Sequence, residues 1–202
     1  MVVLVVLESK EKIWSNYKMI HLSEYNSPLG DILLAAEGEA LIGLWLRGQH
    51  PDKFLIDEKT IFRESEAIKR TKWWLDCYFT HQKPDLKELI LAPRGTIFRQ
   101  MVWKLLLKIP YGQMTTYGEL AKEVAYSLNK PKMSAQAIGG AVGQNPISII
   151  IPCHRVVGYK GNLTGYAGGL PLKIKLLAHE GVAVEKLHLP KNYGKTSKNL
   201  EL

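Results

Sequence analysis

The residues best suited to chemistry lie in the stretch NPISIIIPCHRVVGYKGNLTGYAGG, which covers residues 145–169. Cys153 follows Pro152 directly, and His154 comes next. A cysteine is a strong nucleophile at neutral pH, but only as its thiolate. Because a neighbouring imidazole can remove the thiol proton, the pair predicts nucleophilic catalysis at Cys153 with His154 as the base.

Contact between Cys153 and His154 depends on the local backbone. The isoleucines of residues 147–151 are β-branched and predict a strand that ends at Pro152. Successive residues of a strand point to opposite faces of the sheet. The two side chains therefore need a turn after Pro152, or a bridging water molecule, and we expect the turn.

Glu180 is the candidate partner for His154. The segment PLKIKLLAHEGV predicts a helix that ends at Gly181, a residue suited to the left-handed conformation beyond a helix C-terminus. Glu180 lies in the last turn, where the helix dipole disfavours an anion. A carboxylate in that place predicts a role in orienting His154. The simpler alternative is an exposed glutamate beside a helix end.

The overall composition predicts a globular protein. The chain has 202 residues, 46% of them hydrophobic and 23% charged, which suffices for one large or two small domains. The opening MVVLVVLESK is too short to span a bilayer and lacks the flanks of a signal peptide, so we expect an extra strand or an extension before Met19. Without an export signal, we expect a cytoplasmic protein in which Cys77 and Cys153 are free thiols and Cys77 is a buried core residue.

The charge differs between the two halves of the chain. Residues 1–95 carry 13 Lys and Arg against 14 Asp and Glu, whereas residues 96–202 carry 14 against 5. This excess persists when the lysine-containing tail from residue 186 is left out. The second half is therefore expected to bind a polyanion.

The first half predicts a small sheet and a helix. SEYNSPLGDILLAAEGEALIGLWLRG predicts strands joined by turns at SPLGD and EGEA, and SEAIKRTKWWLDCYF predicts a helix. THQKPDLKELILAPRG predicts a linker with an embedded strand, so we expect a domain boundary near residue 92.

The second half predicts helices. TIFRQMVWKLLLKIPYG predicts an amphipathic helix that begins after Thr96 and is closed by Gly112. TTYGELAKEVAYSL and SAQAIGGAVGQN predict two short helices joined by NKPKM, with Ser134 as the N-cap of the second. This pair fits a helix-turn-helix. The apolar face of the amphipathic helix that begins after Thr96 comprises Phe98, Val102, Leu105 and Leu106.

The second helix of this pair has almost no bulky side chains. Glycines inside a helix cost about 1 kcal/mol each relative to alanine, so close approach to another surface should compensate. That surface is either a neighbouring helix or, for a recognition helix, a narrow DNA groove. The small residues are Ala135, Ala137, Gly139, Gly140, Ala141 and Gly143.

IPCHRVV, GYAGG and LLAHEG together resemble the DNA repair alkyltransferases that act on O6-alkylguanine. SPLG and LIGLW resemble the amino-terminal domain of that family, and PYGQMTTYGELA and IGGAVGQNP resemble its helix-turn-helix. The similarity covers residues 27–182 and is most specific over residues 96–181. It implies an α+β fold with a small amino-terminal α/β domain (an RNase H-like sheet plus a helix, residues 1–92, with 1–18 as an extension). A mostly helical helix-turn-helix catalytic domain (93–185) and a basic tail (186–202) would follow.

The resemblance implies a single-turnover reaction. An O6-alkylguanine, or an O4-alkylthymine, is flipped out of the duplex, and the Cys153 thiolate attacks its alkyl carbon. The resulting thioether is permanent. By position in the family pattern, His154 is the base acting through water, Glu180 orients His154, Asn145 braces the turn and the thiol, and Tyr117 protonates the leaving guanine.

The resemblance also implies a substrate pocket and a minor-groove DNA surface on a monomer that needs no cofactor. Backbone groups of Cys153 and Val156 would receive the exocyclic amine of guanine, and Tyr166 would line the wall. The pocket comprises Val156, Tyr166, Ala167 and Gly168, and the DNA contacts are Thr116, Gln136, Ala137, Gly140, Ala141, Gln144 and Arg155.

The chain departs from the family pattern at two positions. Gln136 stands where many members have an arginine that fills the space left by the flipped base, so we expect weaker or slower engagement of duplex DNA. Ala167 stands where some members have a serine that donates to O6. No zinc is expected, because Cys77 and the scattered His21, His50 and His81 form no ligand set.

Two other functions are considered for this sequence. A protein that binds lesions without repairing them would not need the intact Cys153. A cysteine hydrolase built on Cys153, His154 and Glu180 would leave the basic half and the helix pair without a purpose, and it would turn over an ester or amide.

Overall fold

The computed structural model describes residues 19–49 and 60–189, and the expectations for residues 1–18, His50 and the end of the tail lie outside these ranges. The strands are β1 (Ile20–Ser27), β2 (Gly30–Glu37), β3 (Ala40–Leu46), β4 (Thr60–Phe62), β5 (Thr115–Thr116) and β6 (Val156–Val157). The α-helices are α1 (Glu66–Phe79), α2 (Ile97–Leu106), α3 (Tyr117–Ser127), α4 (Ala135–Gly143) and α5 (Leu170–His179). Short 3-10 helices span Leu86–Glu88, Cys153–Arg155, Tyr159–Gly161 and Val184–Lys186.

The first four strands form one sheet in the order β3-β2-β1-β4, with β4 parallel to β1 and the other pairs antiparallel. The two predicted turns are confirmed. At the first, the Ser27 hydroxyl donates to the Gly30 carbonyl and accepts from the Leu29 amide, and Gly30 has a φ of 99°. Helix α1 follows the sheet and begins after its N-cap Ser65, whose hydroxyl accepts from the Ile68 amide.

Helix α2 begins at the predicted N-cap, since the Thr96 hydroxyl accepts from the Arg99 amide at 3.3 Å. The prediction that Gly112 closes this helix is wrong, because α2 ends at Leu106. Pro110 cannot donate a hydrogen bond and disfavours helical backbone at the residue before it, so the chain turns earlier. The strand predicted between α1 and α2 amounts to a single bridge from Leu91 to Leu41.

Helices α3 and α4 confirm the predicted pair of short helices. Thr116 and Glu119 form a capping box at the start of α3, and the Ser134 hydroxyl caps α4. Helix α4 packs against α2, where Trp103 Nε1 donates to the Ala141 carbonyl at 2.9 Å. The described residues thus form a mixed α and β fold with five α-helices.

The largest apolar cluster is continuous from the sheet and α1 to helices α2 to α5. Strand β3 also binds the chain that leads to Cys153. The Leu44 amide donates to the Pro146 carbonyl at 2.8 Å, and the Ser148 amide donates to the Leu44 carbonyl at 3.0 Å. The sheet therefore holds the segment that precedes the candidate nucleophile. No helix in the described ranges is long and apolar enough to cross a membrane.

Candidate active site and DNA-binding surface

The predicted strand over residues 147–151 is wrong, because this segment forms successive turns with one isolated bridge at Ile147. Its isoleucines are buried, but Ile149 has a φ of 66°, which a strand does not allow. The backbone is satisfied locally instead. The Asn145 amide donates to the carbonyls of Ile147 and Ile151 at 3.3 and 2.8 Å, and its oxygen accepts from the Ile147 amide at 3.0 Å.

The turn expected after Pro152 is confirmed as the 3-10 helix Cys153–Arg155. The Asn145 amide also donates to Cys153 Sγ at 3.1 Å, so one side chain holds both the turn and the thiol. Burial raises the pKa of the Cys153 thiol, although the Asn145 hydrogen bond and the charge of Lys173 act in the opposite direction. The resting cysteine is therefore a protonated thiol that needs a base.

His154 is fully buried, and its Nε2 lies 2.8 Å from Glu180 Oε1. Because a carboxylate only accepts hydrogen bonds, Nε2 carries the proton and Nδ1 carries the lone pair. Nδ1 has no hydrogen-bond partner among the described residues. Burial lowers the pKa of His154 despite the opposing effect of Glu180. The result is a neutral imidazole with a free basic nitrogen.

Glu180 is the most heavily hydrogen-bonded group of the site. Besides His154 it accepts from Arg155 Nε at 2.8 Å and Nη2 at 2.9 Å, from the Tyr78 hydroxyl at 2.9 Å and from the Gly112 amide at 3.1 Å. Burial by itself favours the neutral acid, but the hydrogen bonds and charges of His154 and Arg155 hold the pKa of Glu180 well below its usual range. Glu180 is thus a fixed anion.

The prediction that Arg155 contacts DNA is wrong. Its side chain is buried in a bidentate ion pair with Glu180, and its Nη1 donates to the Ile109 carbonyl at 2.6 Å. A buried ion pair of this kind compensates for the loss of water by mutual hydrogen bonding, so the guanidinium cannot leave it cheaply. Arg155 belongs to the support of the candidate site.

Cys153 borders a small cavity of about 30 Å³. Five of the predicted catalytic and pocket residues line this cavity, whereas His154, Glu180, Val156 and Gly168 do not. The Val156 carbonyl instead accepts from Lys173 Nζ. The side chains of Tyr117, Asn145, Tyr166 and Ala167 line the cavity together with Gln49, Gly139, Val142, Gly143 and Gly165.

Sequence reasoning missed Lys173, which is fully buried in α5. Its Nζ donates to the carbonyls of Val156 and Thr164, and burial lowers its pKa to about 8. A signal was present, because Lys173 shares a helix face with Leu176, Leu177 and Glu180. A lysine within an apolar stripe is unusual and indicates a specific partner.

Gln49 was also missed, since it follows β3 in the first half of the chain. Its Oε1 accepts from the Leu46 amide and from the Ser148 hydroxyl, both at 2.9 Å. Gln49 therefore joins the sheet to the turn before Cys153 while lining the cavity. Only tertiary structure reveals this, because Gln49 and Ser148 are far apart in sequence.

Most of the residues predicted to contact DNA are exposed on α4 or at its C-cap, namely Gln136, Ala137 and Gly140 on the helix and Gln144 at the cap. The prediction for Ala141 is wrong, because Ala141 is buried and faces α2, where Trp103 binds its carbonyl. The Thr116 hydroxyl is engaged in the capping box of α3.

Packing inside the protein does not account for the glycines of α4. A Cβ added at Gly140 or Gly143 would meet no atom within 4 Å, and one at Gly139 would lie 3.8 Å from the Tyr117 ring, an ordinary contact. Close packing against a neighbouring helix, one of the two explanations given for the glycines, is therefore excluded for these three positions. The open side of α4 is available to an external partner.

No group of three or more His, Cys, Asp or Glu side chains within residues 19–49 and 60–189 is arranged to hold a metal ion. Cys77 and Cys153 are both free and buried, as expected for Cys77.

The site combines a buried thiol with a neutral histidine and its carboxylate, and a pair of short helices with an exposed face lies beside it. This combination indicates a cysteine-dependent protein that binds DNA. Comparisons with known proteins make this specific: residues 97–182 match the family model "6-O-methylguanine DNA methyltransferase, DNA binding domain". The chain belongs to the methylated-DNA–protein-cysteine methyltransferase family.

The relatives cover most of the chain. The methylated-DNA–protein-cysteine methyltransferase of Methanosarcina acetivorans is 42% identical over 78% of this chain and 96% of its own length. That of Haemophilus influenzae is 38% identical over 81% and 87%. The crystal structure of Mycobacterium tuberculosis OGT in complex with DNA superimposes with a TM-score of 0.68 at 36% identity, covering 83% of this chain and 95% of that one.

Proposed function

We propose that this protein is a DNA repair methyltransferase that moves the alkyl group of O6-alkylguanine in DNA, and of O4-alkylthymine, to its own Cys153. The observation that carries the proposal is the Cys153 thiol held at 3.1 Å by Asn145 on the border of a small cavity, followed in the chain by His154, which is paired with Glu180. The family supports the same reaction.

The proposed reaction begins with proton transfer. The thiol proton of Cys153 passes through one water molecule to His154 Nδ1, and Glu180 stabilises the resulting imidazolium through Nε2. The thiolate then attacks the alkyl carbon, the sulfur–carbon bond forms and the carbon–O6 bond breaks. The electron pair of that bond goes to guanine, which takes a proton from Tyr117 at the cavity wall. The proton held by His154 then returns through water to the Tyr117 phenolate, so both side chains end neutral.

The same chemistry makes the protein a single-use reagent. A thioether has no good leaving group, and no second thiol lines the cavity within the described part of the chain. In the resting state the thiol is buried and protonated, which protects it from unrelated electrophiles until a substrate is bound. One protein molecule therefore repairs one lesion.

The proposed mode of DNA binding places α4 in the minor groove with the target base flipped into the cavity. The groove is about 6 Å wide, so a helix without side-chain bulk on its open face suits it. Gly140 and Gly143 have free space on that face, and Gly139 and Gly143 also line the cavity of Cys153. The recognition helix and the nucleophile thus share one surface.

We further propose that the chain acts as a cytoplasmic monomer of two domains. The sheet and α1 lie within residues 1–92 and would form the RNase H-like domain, and helices α2 to α5 lie within residues 93–185. Residues 186–202 would add a basic tail. Two unpaired cysteines suit a reducing compartment.

The test is the intact mass of the protein after incubation with a duplex that contains O6-methylguanine. We expect a gain of one methyl group that saturates at one per chain, maps to the peptide of Cys153 and leaves Cys77 unmodified. Tight binding of the duplex without a mass gain would instead identify a protein that detects lesions without repairing them. Steady turnover of an ester or amide would identify a cysteine hydrolase.

Gln136→Arg is expected to increase duplex affinity and the rate of methyl transfer at low DNA concentration. Gln136 is exposed at the start of α4, where an arginine would add a charge and a planar group that can stack in the space left by the flipped base. We expect a gain of about 3- to 10-fold in affinity, as for one added charged contact. The measurement is duplex titration at fixed salt together with single-turnover rates, and Gln113→Arg, at an exposed position in the loop before β5, is the matched control. An unchanged affinity and rate would remove the idea that Gln136 weakens engagement.

A further inference from the structure

Tyr78 connects the first half of the chain to the candidate catalytic carboxylate. It lies in α1, yet its hydroxyl donates to Glu180 Oε1 at 2.9 Å across 102 residues of sequence. Its side chain is almost fully buried, at 1% exposure. A buried tyrosine hydroxyl needs a hydrogen-bond partner, and here the partner is the group that orients His154.

Tyr78 is fixed from several sides. Its ring stacks on Trp74 at 5.6 Å between centroids and meets the edge of Tyr111 at 5.9 Å. Its backbone carbonyl lies 2.9 Å from His179 Nε2. Tyr78 therefore holds two consecutive residues at the end of α5, His179 by its backbone and Glu180 by its side chain.

The hydroxyl shares its acceptor with the catalytic pair. Glu180 Oε1 accepts from His154 Nε2 at 2.8 Å, from Arg155 Nη2 at 2.9 Å and from the Tyr78 hydroxyl. Each further donor takes part of the negative charge that would otherwise stabilise a protonated His154. Tyr78 thus affects both the position of the carboxylate and the basicity of the imidazole.

We propose that Tyr78 is a positioning residue for alkyl transfer, through which the seating of α1 against α5 sets the activity of the His154–Glu180 pair. This inference rests on the proposed function and deepens it. The second half of the chain contains the sequence motifs. By itself, however, it would lack the hydrogen bond from Tyr78 to Glu180, the carboxylate that orients His154.

Several charged and titratable groups surround the hydrogen bond between Tyr78 and Glu180 and could also change the basicity of His154. His154 faces Glu180, Arg155 and Lys173, and Tyr78 faces Glu180, Arg155, Tyr111 and His179. Tyr78→Phe removes one neutral donor and leaves every one of these groups in place. Its effect on His154 therefore acts through Glu180.

The experiment compares Tyr78→Phe with Thr71→Val. Thr71 is also buried in α1, and its hydroxyl donates to the Ala67 carbonyl of the same helix, so Thr71→Val removes a buried hydroxyl with no connection to Glu180. For each full-length protein the rate of methyl transfer from O6-methylguanine duplex is measured against pH. The rate of iodoacetamide alkylation at the Cys153 peptide is measured in parallel without DNA.

For Tyr78→Phe we expect the acid limb of both profiles to move to higher pH by about 0.5–1 unit, the equivalent of one neutral hydrogen bond, because the protonated form of His154 gains stability. Rates on that limb then fall by about 3- to 10-fold. Thr71→Val is expected to keep the wild-type profiles.

Profiles of Tyr78→Phe that coincide with wild type, or that move to lower pH, would overturn the inference. So would equal shifts in both variants, because these would show a general effect of loosening α1. Failure of the wild type to accept a methyl group would defeat the proposed function instead. The iodoacetamide profile would still decide the role of Tyr78 in that case.

Discussion

Cys153→Ala is expected to accept no methyl group from O6-methylguanine DNA while binding that DNA at least as tightly as the wild type. Among the described residues at the cavity, Cys153 supplies the sulfur, and the second thiol, Cys77, lies buried in α1. Binding should persist because the open face of α4 and the cavity walls are untouched. Without the reaction, the alkylated base stays intact, so the duplex remains a ligand.

The folded state should tolerate this change. Alanine removes one buried atom, and Asn145 keeps its hydrogen bonds to the carbonyls of Ile147 and Ile151. We expect the free energy of unfolding to change by about 1 kcal/mol or less, in line with other small core truncations. The turn that carries His154 should therefore stay in place.

Intact-mass analysis and duplex titration check both halves of this expectation, with Cys77→Ala as the control that removes the other buried thiol. Cys77→Ala should still take one methyl group per chain. A methylated Cys153→Ala protein would show that another residue is the acceptor. Loss of duplex binding together with loss of transfer would show that Cys153 shapes the DNA site rather than only reacting in it.

The local elements could be predicted from sequence because their signals are local. Thr96 and Ser134 begin helices as N-caps, and turn residues separate the first three strands. The pair of short helices follows from the same kind of signal. Capping and turn chemistry depend on a few neighbouring residues, which explains why these expectations agree with the structure.

The segment before Cys153 could not be predicted in this way. A run of isoleucines favours a strand by propensity, but here the buried side chains belong to successive turns that Asn145 and strand β3 hold together. Tertiary hydrogen bonds outweigh this local preference for a strand. They hold Ile149 at a positive φ, which a strand does not allow. The same turns place Cys153 at the cavity.

The candidate site was predicted in its reactive groups but not in its support. Cys153, His154 and Glu180 are recognisable by residue type and context, whereas the residues that fix them come from distant parts of the chain. Tyr78 and Gly112 reach Glu180 from α1 and from the loop before β5. Arg155 was predicted to bind DNA because sequence alone cannot show that a basic residue has a buried partner.

Glu180→Gln is expected to slow methyl transfer by about 10²- to 10⁴-fold, the usual contribution of a positioned general base. A carboxylate accepts all of the donors around it, whereas an amide presents one oxygen and one NH₂ group. The NH₂ group must then face either His154 or Arg155, both of which donate to Glu180 in the wild type. His154 loses the anion that stabilises its protonated form.

The same substitution should lower the free energy of unfolding by about 3–5 kcal/mol at neutral pH, because the buried Arg155 loses its counter-ion. The folded-state pKa of Glu180 lies below its unfolded value of 4.5, so the ionised carboxylate stabilises the protein above that pH. As the pH falls below 4.5, the wild type loses this contribution and the gap to Glu180→Gln narrows. Urea denaturation at neutral and acid pH measures both quantities.

Glu185→Gln is the matched control, since Glu185 is an exposed carboxylate a few residues further along the chain. It should leave the transfer rate unchanged and the stability within about 0.5 kcal/mol of wild type. A Glu180→Gln protein that is destabilised yet transfers methyl groups at the wild-type rate would confine Glu180 to a structural role and leave His154 to act without it. A slow but fully stable variant would mean that Arg155 finds another partner, and the two functions of this carboxylate would then be separable.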